Sequence, residues 1–289
     1  MSALSACSRM AFTEAMAHWA EQQIGARFQR QFGYSLPLHA PATLREKLFA
    51  RMVLLHRHHG RRYTLLSDKL AVRRYVRRCI GSAHLTTIAW AGEDAVAAPL
   101  EAYSKGGWIT KTNHGCGGHR VIKGGDQTLL RQHLQQQLQQ NYYWLALEAQ
   151  YYRIRPRLYI ERLVQGINQP APMNYRLWCF QGCVKLVQVD DGSPFNPFYS
   201  PKWEPLDLSY RDGQAAQYQR KEPDHLHTML SLAKILAAPF GFVRVDLYSL
   251  AEQIIFSELT FTPLAGDLWL KPAGWDQELG AYWPNDALV

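Results

Sequence analysis

The sequence lacks a long hydrophobic segment. No uncharged apolar run reaches the ~20 residues that a membrane-spanning helix needs. Residues 1–20 contain no clean apolar core of the kind that a secretory signal peptide has. We therefore expect a cytoplasmic protein.

Paired cysteines are also missing. The chain has five cysteines, an odd number, and no two of them form a Cys-X-X-Cys pair. Such a set argues against a disulfide framework and against a zinc site built from cysteines. A reducing compartment agrees with this pattern.

Two common phosphate-binding motifs are absent. The chain has no Walker A pattern, GxxxxGK(S/T), and no strand followed by GxGxxG at the start of a helix. The sequence thus carries the signature of neither a P-loop NTPase nor a Rossmann domain. A nucleotide site in this protein has to be built in another way.

The composition that remains is that of an ordinary globular protein. The chain has 289 residues, 47% of them hydrophobic, enough for one large domain or two to three small lobes. Lysine and arginine number 32 against 24 acidic residues, a formal net charge of +8. This excess favours an anionic partner, whether nucleotide, acidic sugar, nucleic acid or membrane surface. The densest basic run, Arg73–Arg78, is either part of a binding surface or a solvated helix face.

Hydrophobic periodicity predicts helices early in the chain and mainly strands later. Apolar residues recur at helical intervals before residue 60, again in SDKLAVRRYV, and again in the glutamine-rich stretch 127–151, whose apolar stripe is Leu129, Leu130, Leu134 and Leu138. Strands follow, with one further helix at DHLHTMLSLAKILAA. We predict an α+β fold with mostly antiparallel sheets. The predicted division is a helical N-terminal extension at 1–60, a first lobe at 61–158 and a second lobe at 159–289.

A glycine-rich loop follows a predicted strand that ends at Lys111. The loop, NHGCGG, spans residues 113–118 and leads into a returning strand. Glycines let a backbone approach a phosphate closely, and a lysine adds a positive charge. The alternatives are a tight turn without a ligand, or a nucleophilic Cys116 with His114 or His119 as its base.

A predicted β-hairpin at 242–263 places two carboxylates opposite each other. In its register Asp246 faces Glu258, Arg244 faces Thr260 and Tyr248 faces Phe256. The other face is apolar, and the residues predicted to fill it are Val243, Val245, Leu247, Ile255, Leu259 and Phe261. Like charges across a ladder destabilise it, so we expect the free protein to store repulsion that a divalent cation relieves. The alternative is a surface hairpin in which Arg244 neutralises the carboxylates.

In combination these features resemble the nucleotide site of the ATP-grasp superfamily. A lysine precedes a glycine-rich hairpin, a strand ends in a glutamate about fifty residues later, and an R-x-D strand pairs with an E-x-T-x-x-P strand. The sequence is also similar to one branch, the TupA-like ATP-grasp family, over about residues 43–280. The blocks that carry this resemblance appear in the family order: TLREKLFARMVL, SDKLAVRRYV, KTNHGCGG, YIERLV, NYRLWCFQG, FYSPKWEPL, MLSLAKILAAPFGFVRVDLYS and FSELTFTPLAG.

The resemblance implies an ATP-grasp core that uses ATP and Mg²⁺. The residues matched to binding of the nucleotide are Lys69 and Lys111 at the phosphates, Gly115, Cys116, Gly117 and Gly118 in the closing loop, Glu161, Arg162, Leu163 and Val164 in the adenine hinge, and Asn168 at the ribose. The matched metal ligands are Asp246, Glu258 and Thr260. Arg244 matches the arginine that steadies the reacting phosphoryl group, and Arg176 is the second candidate catalytic residue.

Three positions depart from the family pattern. Thr260 stands where many ATP-grasp ligases have a metal-binding asparagine, which puts the second metal in doubt. Cys116 stands where a serine is usual. Gly192 falls where we would expect an arginine, so the acceptor side differs from the family norm.

The resemblance implies a role in bacterial surface polysaccharide biosynthesis. We expect an ATP-dependent carboxylate–amine ligase that activates a uronic acid or amino acid as an acylphosphate, with transfer of phosphate to a glycan hydroxyl as the alternative. The expected partners are an acidic small molecule or glycan and peripheral contact with a membrane-linked glycan. Nucleic acid is not expected as a partner, because facing carboxylates repel phosphate without a metal. A basic nucleic-acid or membrane-binding protein without catalysis is the competing class.

Overall fold

The computed structural model describes residues 13–58, 60–164, 172–190, 192, 196–210 and 219–289. The helices within these ranges are α1 (Glu14–Phe32), α2 (Leu44–Arg57), α3 (Arg61–Ser67), α4 (Val72–Ile80), α5 (Thr128–Gln139), α6 (Tyr143–Ala146), α7 (Ala149–Tyr152), α8 (Leu226–Ala237) and α9 (Gly274–Ala281). The strands are β1 (Ile88–Gly92), β2 (Trp108–Thr112), β3 (Arg120–Val121), β4 (Leu158–Arg162), β5 (Asn174–Phe180), β6 (Cys183–Asp190), β7 (Phe198–Tyr199), β8 (Ser209–Tyr210), β9 (Phe242–Ser249), β10 (Ile254–Thr260) and β11 (Leu270–Lys271). None of these helices is both long enough and apolar enough to cross a membrane.

The described strands form antiparallel sheets, which confirms the α+β prediction. A four-stranded sheet has the order β1-β4-β2-β3, and a five-stranded sheet has the order β10-β9-β5-β6-β7. The short strands β8 and β11 pair with each other. The two larger sheets come from successive parts of the chain, so each can carry its own set of site residues.

Alternation along β9 determines which of its side chains lie on each face of the five-stranded sheet. Val243, Val245 and Leu247 are buried in a core shared with α8. Phe242, at the start of the strand, lies on the other face in a second core that includes residues of α2 and α9. Successive side chains of a strand point to opposite faces. The next two residues on the face of Phe242 are therefore Arg244 and Asp246, and this face continues from an apolar end into a polar one.

Helix α2 belongs to the centre of the molecule. A capping box starts it, because the Thr43 side chain accepts from the Glu46 backbone N–H while the Glu46 carboxylate accepts from the Thr43 N–H. Arg51 is fully buried and donates to the carbonyl oxygens of Phe242 (2.9 Å) and Phe261 (3.0 Å). The region predicted as an extension, 1–60, thus supplies a helix that contacts the β9–β10 hairpin. The boundary at residue 60 stays a prediction.

Strand β4 lies in the middle of the four-stranded sheet. It pairs with β1 on one side and β2 on the other. The predicted boundary between residues 158 and 159 therefore falls inside a strand whose partners both precede it in the chain. Leu158 and Ile160 pack with Leu134 of α5 in the core of this sheet, which leaves Tyr159 and Glu161 on the opposite face.

Two predicted helices differ in detail. The SDK segment is a turn between α3 and α4, where the Asp68 carboxylate accepts from the backbone N–H groups of Leu70 (2.8 Å) and Ala71 (3.1 Å). The glutamine-rich stretch is broken after α5, and Leu129 is 79% exposed instead of lying on the buried stripe. Periodicity alone did not reveal either break, because polar caps and short connections interrupt a helix without changing its apolar pattern.

A β-bulge changes one end of the predicted hairpin. Asp246 pairs with Glu258 and Arg244 with Thr260, as the sequence predicted. The register shifts between Phe256 and Glu258, so that Tyr248 lies opposite Ile255 and not opposite Phe256. The extra residue reverses the faces of the following positions. Phe256 consequently packs in the core that the prediction had assigned to Ile255.

Candidate functional site

A cleft lies between the four-stranded and five-stranded sheets. Its walls are the α3–α4 turn, strands β2 and β4, the glycine-rich loop, and the β9–β10 hairpin. The lining residues are Lys69, Arg73, Thr86, Lys111, Thr112, Gly115, Cys116, Gly117, Gly118, His119, Tyr159, Glu161, Val164, Asn174, Tyr248, Ile255, Phe256, Ser257 and Glu258. The fold thus brings together both predicted lysines, the whole loop, part of the hinge and one predicted metal ligand.

Lys111 and Glu161 form an ion pair on the wall built by the four-stranded sheet. Lys111 Nζ lies 2.5 Å from a carboxylate oxygen of Glu161, and this glutamate is only 5% exposed. The Thr86 hydroxyl donates to the other Glu161 oxygen (2.6 Å), and Arg73 donates in turn to Thr86. The carboxylate of Glu161 therefore holds the Lys111 ammonium at a fixed place inside the cleft.

The second lysine, Lys69, is positioned through Asn113. The fully buried Asn113 amide donates to Asp68 (2.9 Å) and to the Arg155 carbonyl (3.0 Å), while its main-chain oxygen accepts from the Lys69 N–H (3.0 Å). Asn113 follows β2 directly, two residues after Lys111. One buried side chain thus ties the α3–α4 turn to the strand that carries the other lysine.

Side chains outside the glycine-rich loop fix its course. A Cβ atom at Gly115 would overlap the ring of Tyr142, and one at Gly118 would overlap the side chain of Gln137. Gly117 has a φ of +76°, which glycine adopts without strain, and has open space around it. Tyr142 also donates its hydroxyl to the Cys116 carbonyl. The loop needs glycine for two different reasons, close packing at its ends and backbone conformation in its middle.

The histidines beside Cys116 do not form a nucleophile–base pair with it. His114 is buried, and its ring nitrogens contact the Gln140 carbonyl (2.9 Å) and the Asn113 side-chain oxygen (3.2 Å). His119 lines the cleft, where burial and the nearby Lys111 lower its pKa. No hydrogen bond joins either ring to the Cys116 thiol within the described residues. The geometry favours Cys116 as a loop residue over Cys116 as a nucleophile.

Arg244 and Asp246 form a bidentate ion pair in the polar face of the five-stranded sheet. The Arg244 Nε and Nη2 atoms donate to the two Asp246 oxygens at 2.8 and 2.7 Å. Although burial alone would lower the pKa of Arg244, the Asp246 carboxylate raises it above its usual value. Arg244 Nη2 also lies 3.7 Å from Glu258 and 3.2 Å from the Thr260 hydroxyl. A single guanidinium therefore reaches all three predicted metal ligands.

Glu258 is neutralised mainly by Lys69. Lys69 Nζ lies 2.9 Å from Glu258 Oε2, and this lysine, with burial opposing and Arg244 assisting, lowers the pKa of Glu258 to about 2. The expectation that net carboxylate repulsion remains in the free protein is therefore wrong for Glu258, although burial, with the Glu258 charge adding to it and Arg244 opposing it, raises the pKa of Asp246. The sequence showed the opposed carboxylates, but the cations that offset their charge come from one position on the same strand and one distant turn.

The donor set of the hairpin fits magnesium. Asp246, Glu258 and Thr260 offer only oxygen atoms, and Mg²⁺ is commonly held by one or two carboxylates together with substrate phosphates and water. The Thr260 hydroxyl lies 3.4 Å from a Glu258 oxygen, whereas both Asp246 oxygens accept from Arg244, so all three residues would reach one metal only after Arg244 releases an oxygen. Among the residues that the structure describes, no group of three or more His, Cys, Asp or Glu side chains could hold a metal by itself. The fit is thus to an ion that a phosphate ligand would help to coordinate.

Arg176 lies beside the carboxylates on the neighbouring strand. It pairs with Asp246 in the β5–β9 ladder, and its Nε is 3.9 Å from an Asp246 oxygen. Its main ion-pair partner is Asp190, at the end of β6. Gly192, where an arginine was expected, is exposed and donates its N–H to Asp190 (3.0 Å). Glu258, Asp246 and Arg176 thus form a row of charged side chains across β10, β9 and β5, and Arg176 extends it toward β6.

The predicted adenine hinge is only partly in the cleft. Glu161 and Val164 line it. Arg162 is on the opposite face of β4 from Glu161, and its guanidinium lies 5.3 Å from the centre of the Trp108 ring. The Leu163 N–H donates to the Gly107 carbonyl (2.9 Å) and is not open to a ligand in this arrangement. Asn168, the predicted ribose ligand, lies outside the described residues.

Sequence reasoning missed several residues of the cleft. Arg73 and Thr86 support Glu161; the sequence marks Arg73 only as the start of the basic run 73–78, and no local pattern marks Thr86. Tyr159 stands two residues before Glu161 on the same strand face, so the alternation of β4 could have identified it. Tyr248 and Ile255 line the cleft side by side because of the bulge in the hairpin.

Comparison with protein families gives a match that covers most of the chain. The family described as TupA-like ATPgrasp matches residues 46–283. No curated protein matches the chain in sequence.

Several solved structures align at low identity. A D-alanine-D-alanine ligase from Helicobacter pylori is 14% identical over 76% of this chain and 59% of its own, with a TM-score of 0.45. The Bacillus anthracis D-alanine–D-alanine ligase complexed with ATP is 12% identical over 78% of this chain and 65% of its own, with a TM-score of 0.44. The ATP-grasp ligase PsnB complexed with a minimal precursor, Mg and ADP is 12% identical over 83% and 65%, with a TM-score of 0.38. This chain thus spans 59–65% of the length of these three proteins.

Proposed function

The chain belongs to the TupA-like ATP-grasp family, and from this premise we propose that it binds Mg-ATP in the cleft and uses it to join a carboxylate to an amine. The observation that supports this most directly is the pairing of Lys69 with Glu258 next to the glycine-rich loop. A cation held on a metal-binding carboxylate is placed to receive a phosphate once a metal takes its partner.

The proposed reaction has two steps. The substrate carboxylate attacks the γ-phosphorus of ATP, which forms an acylphosphate and releases ADP, and the amine then displaces phosphate to form an amide. Most of the catalysis comes from positioning and from neutralising negative charge. When bound, magnesium would supply positive charge to the phosphate oxygens, held by Asp246, Glu258 and Thr260.

The residues of the chain have separate roles in this proposal. Lys111, oriented by Glu161, binds phosphate oxygens, and the loop from Gly115 to Gly118 covers them. Arg244 would release one Asp246 oxygen to the metal and turn the freed N–H group toward the transferred phosphoryl group. Val164 and Tyr248 provide part of the wall around the base.

The class of the carboxylate substrate is inferred from the positive charge of the protein. We propose an acidic substrate, a uronic acid or amino acid of a surface polysaccharide, because the chain has a net charge of +8 and Arg176 continues the cationic row beside Asp246. Transfer of phosphate to a sugar hydroxyl would use the same groups. Mass analysis of products formed from ATP and candidate glycans separates the two reactions, since one adds an amine-derived mass and the other adds phosphate.

Binding of ATP can be tested without knowing the substrate. Lys111→Ala removes a phosphate contact, so we expect affinity for Mg-ATP by calorimetry to fall about tenfold or more. Lys105→Ala is the matched control, because Lys105 is exposed before β2 and outside the cleft lining. Equal affinities for the two variants would show that the phosphates do not bind at Lys111. A melting curve for each variant checks that the loss is not due to unfolding.

A further inference from the structure

The outer side of helices α3, α4 and α8 carries a dense set of exposed cations. These are Arg61 and Arg62 of α3, Arg74, Arg77 and Arg78 of α4, and Lys234 of α8. Two exposed aliphatic side chains accompany them, Leu65 at 44% and Ile235 at 47% exposure. These eight residues are called the basic surface below.

Contacts at Phe240 show that the three helices share one surface. The Arg62 guanidinium lies 4.4 Å from the centre of the Phe240 ring, at the chain segment that follows α8. Tyr75 of α4 contacts the same ring and donates its hydroxyl to the Leu236 carbonyl of α8 (2.8 Å). Burial raises the pKa of Tyr75, and Arg62 and Arg78 both lie close enough to oppose this shift. The cations of α3 and α4 are therefore neighbours.

Counter-ions are missing from this surface. Across the described ranges, none of its six cations lies within 4 Å of a carboxylate. Other exposed arginines do have such partners, as Arg57 has Glu21 and Arg131 has Glu101. Clustered like charges repel one another, and an anionic partner relieves that repulsion.

The aliphatic residues distinguish one kind of partner. Leu65 is four residues after Arg61 on α3, and Ile235 follows Lys234 on α8, so each apolar side chain is exposed next to a cation. Anionic lipid headgroups pair with cations, while the boundary of the acyl chains accepts exposed aliphatic groups. A nucleic acid or a soluble acidic polymer would use the cations alone.

We propose that the basic surface binds the anionic face of a lipid membrane. Arg73, in the same helix, lines the cleft, whereas Arg74, Arg77 and Arg78 face outward. Helix α4 therefore borders the cleft with one side and the membrane with the other. This arrangement would place the cleft within about one helix diameter, ~10 Å, of the lipid surface.

Vesicle binding by the full chain tests the proposal, and the test does not depend on ATP or on catalysis. We expect sedimentation with phosphatidylglycerol-rich vesicles, little with phosphatidylcholine vesicles, and weaker binding as salt increases. Arg74→Gln, Arg77→Gln and Arg78→Gln together should reduce the vesicle partition coefficient about 100-fold, because each basic residue near such a surface contributes about fivefold. Thermal melting checks that this variant remains folded.

A control of equal charge and a second variant define the outcomes. Arg30→Gln, Lys105→Gln and Lys123→Gln together remove three exposed cations from other surfaces and should lower binding far less. Leu65→Ser with Ile235→Ser should weaken vesicle binding without changing the affinity for polygalacturonate, a soluble acidic polymer. The proposal is overturned if anionic vesicles do not bind, if both charge variants lose binding equally, or if the aliphatic variant binds vesicles as the parent does.

Discussion

The two walls of the cleft are stabilised in different ways. On the five-stranded sheet the site residues hold one another, with Arg244 bound to Asp246 and Lys69 bound to Glu258. On the four-stranded side the loop is held from outside, by the ring of Tyr142 and the side chain of Gln137. The first arrangement is an ion-pair network, whereas the loop, which lies beside the Lys111–Glu161 ion pair, depends on the absence of side chains.

This difference indicates where in the site stability and function are coupled. In the network, a substitution changes the charge of the site and the fold energy together, because buried ion pairs are costly to break from one side. In the loop, a substitution disturbs packing but leaves every charged group in place. Substitutions in the network should therefore change stability and ligand binding together. Substitutions in the loop should change stability without a matching change in the charge that binds the ligand.

The largest effect should come from Asp246→Asn. Asp246 is fully buried, and its removal leaves the Arg244 guanidinium without its bidentate partner. We expect a loss of about 3–5 kcal/mol in the free energy of unfolding, measured with urea at pH 7. Turnover should be lost as well, because a neutral amide is a poor magnesium ligand.

Asp190→Asn is the matched control for this change. Asp190 pairs with Arg176, but its side chain is 25% exposed, against 1% for Asp246. A half-buried pair screened by water should cost about 1 kcal/mol or less. If both variants lose the same stability, burial does not distinguish the network from an ordinary surface pair.

The loop gives the next largest effect through Gly115→Ala. The added methyl group overlaps the Tyr142 ring, so we expect a loss of about 1–3 kcal/mol in unfolding free energy. Gly117→Ala is the comparison, because its cost is conformational, about 1 kcal/mol from a positive φ, with open space around it. Gly115→Ala combined with Tyr142→Ala should recover part of the loss. Absence of any recovery would mean that Tyr142 does not set the course of the loop.

Glu258→Gln should have a smaller effect on stability and should depend on pH. The folded-state pKa of Glu258, about 2, lies below its ordinary value of 4.5. Its contribution is therefore present above pH 4.5 and is lost as the pH falls from there toward 2. Because the side chain is 35% exposed, water screens the pair with Lys69, and we expect a loss of about 1 kcal/mol at pH 7.

Urea denaturation at pH 7 and at pH 3.5 measures this effect. The gap between the parent and Glu258→Gln should narrow at the lower pH. A variant that is more stable than the parent at pH 7 would restore the idea that the two carboxylates repel each other. Loss of turnover with only this small loss of stability would support the role of Glu258 in holding magnesium.

The sequence predicted the centre of the site better than its surroundings. Alternation along β9 and β10 placed Asp246 opposite Glu258, because register follows from which face is apolar. Alternation could not predict the bulge between Phe256 and Glu258, because a bulge needs no particular residue type and leaves no mark in the sequence. The sequence likewise placed Lys111 at the end of a strand with the glycine-rich loop after it, and Lys111 lies in β2 just before this loop.

What the sequence could not show is which distant side chain completes each charged group. Lys69 reaches Glu258 across 189 positions of the chain, and Thr86 reaches Glu161 across 75. No local pattern encodes such contacts, since the first depends on how the α3–α4 turn meets the hairpin and the second on how β1 pairs with β4. For this reason the neutralised carboxylates of the free protein were predicted wrongly while their positions were predicted correctly.

The smallest effect concerns Glu148, where the two walls meet. This residue precedes α7, on the path to β4, and accepts a hydrogen bond from Thr262, two residues beyond β10. Burial raises the pKa of Glu148 to about 7, although Thr262 and Arg27 oppose the shift. The folded protein therefore holds a proton that the unfolded chain releases near pH 4.5, and stability falls as the pH rises from 4.5 through 7.

Glu148→Gln removes this titration while keeping an oxygen that can accept from Thr262. We expect the variant to match the parent near pH 5 and to exceed it by about 1 kcal/mol in unfolding free energy at pH 8, less than the ~3 kcal/mol that a pKa of about 7 against 4.5 gives for a fully buried group, because Glu148 is partly exposed. Glu252→Gln, at the exposed turn of the hairpin, is the surface control for this measurement. If the difference between Glu148→Gln and the parent stays constant from pH 5 to pH 8, Glu148 is ionised throughout. The contact between the two walls would then be a hydrogen bond from Thr262 to a carboxylate that is ionised across this whole pH range.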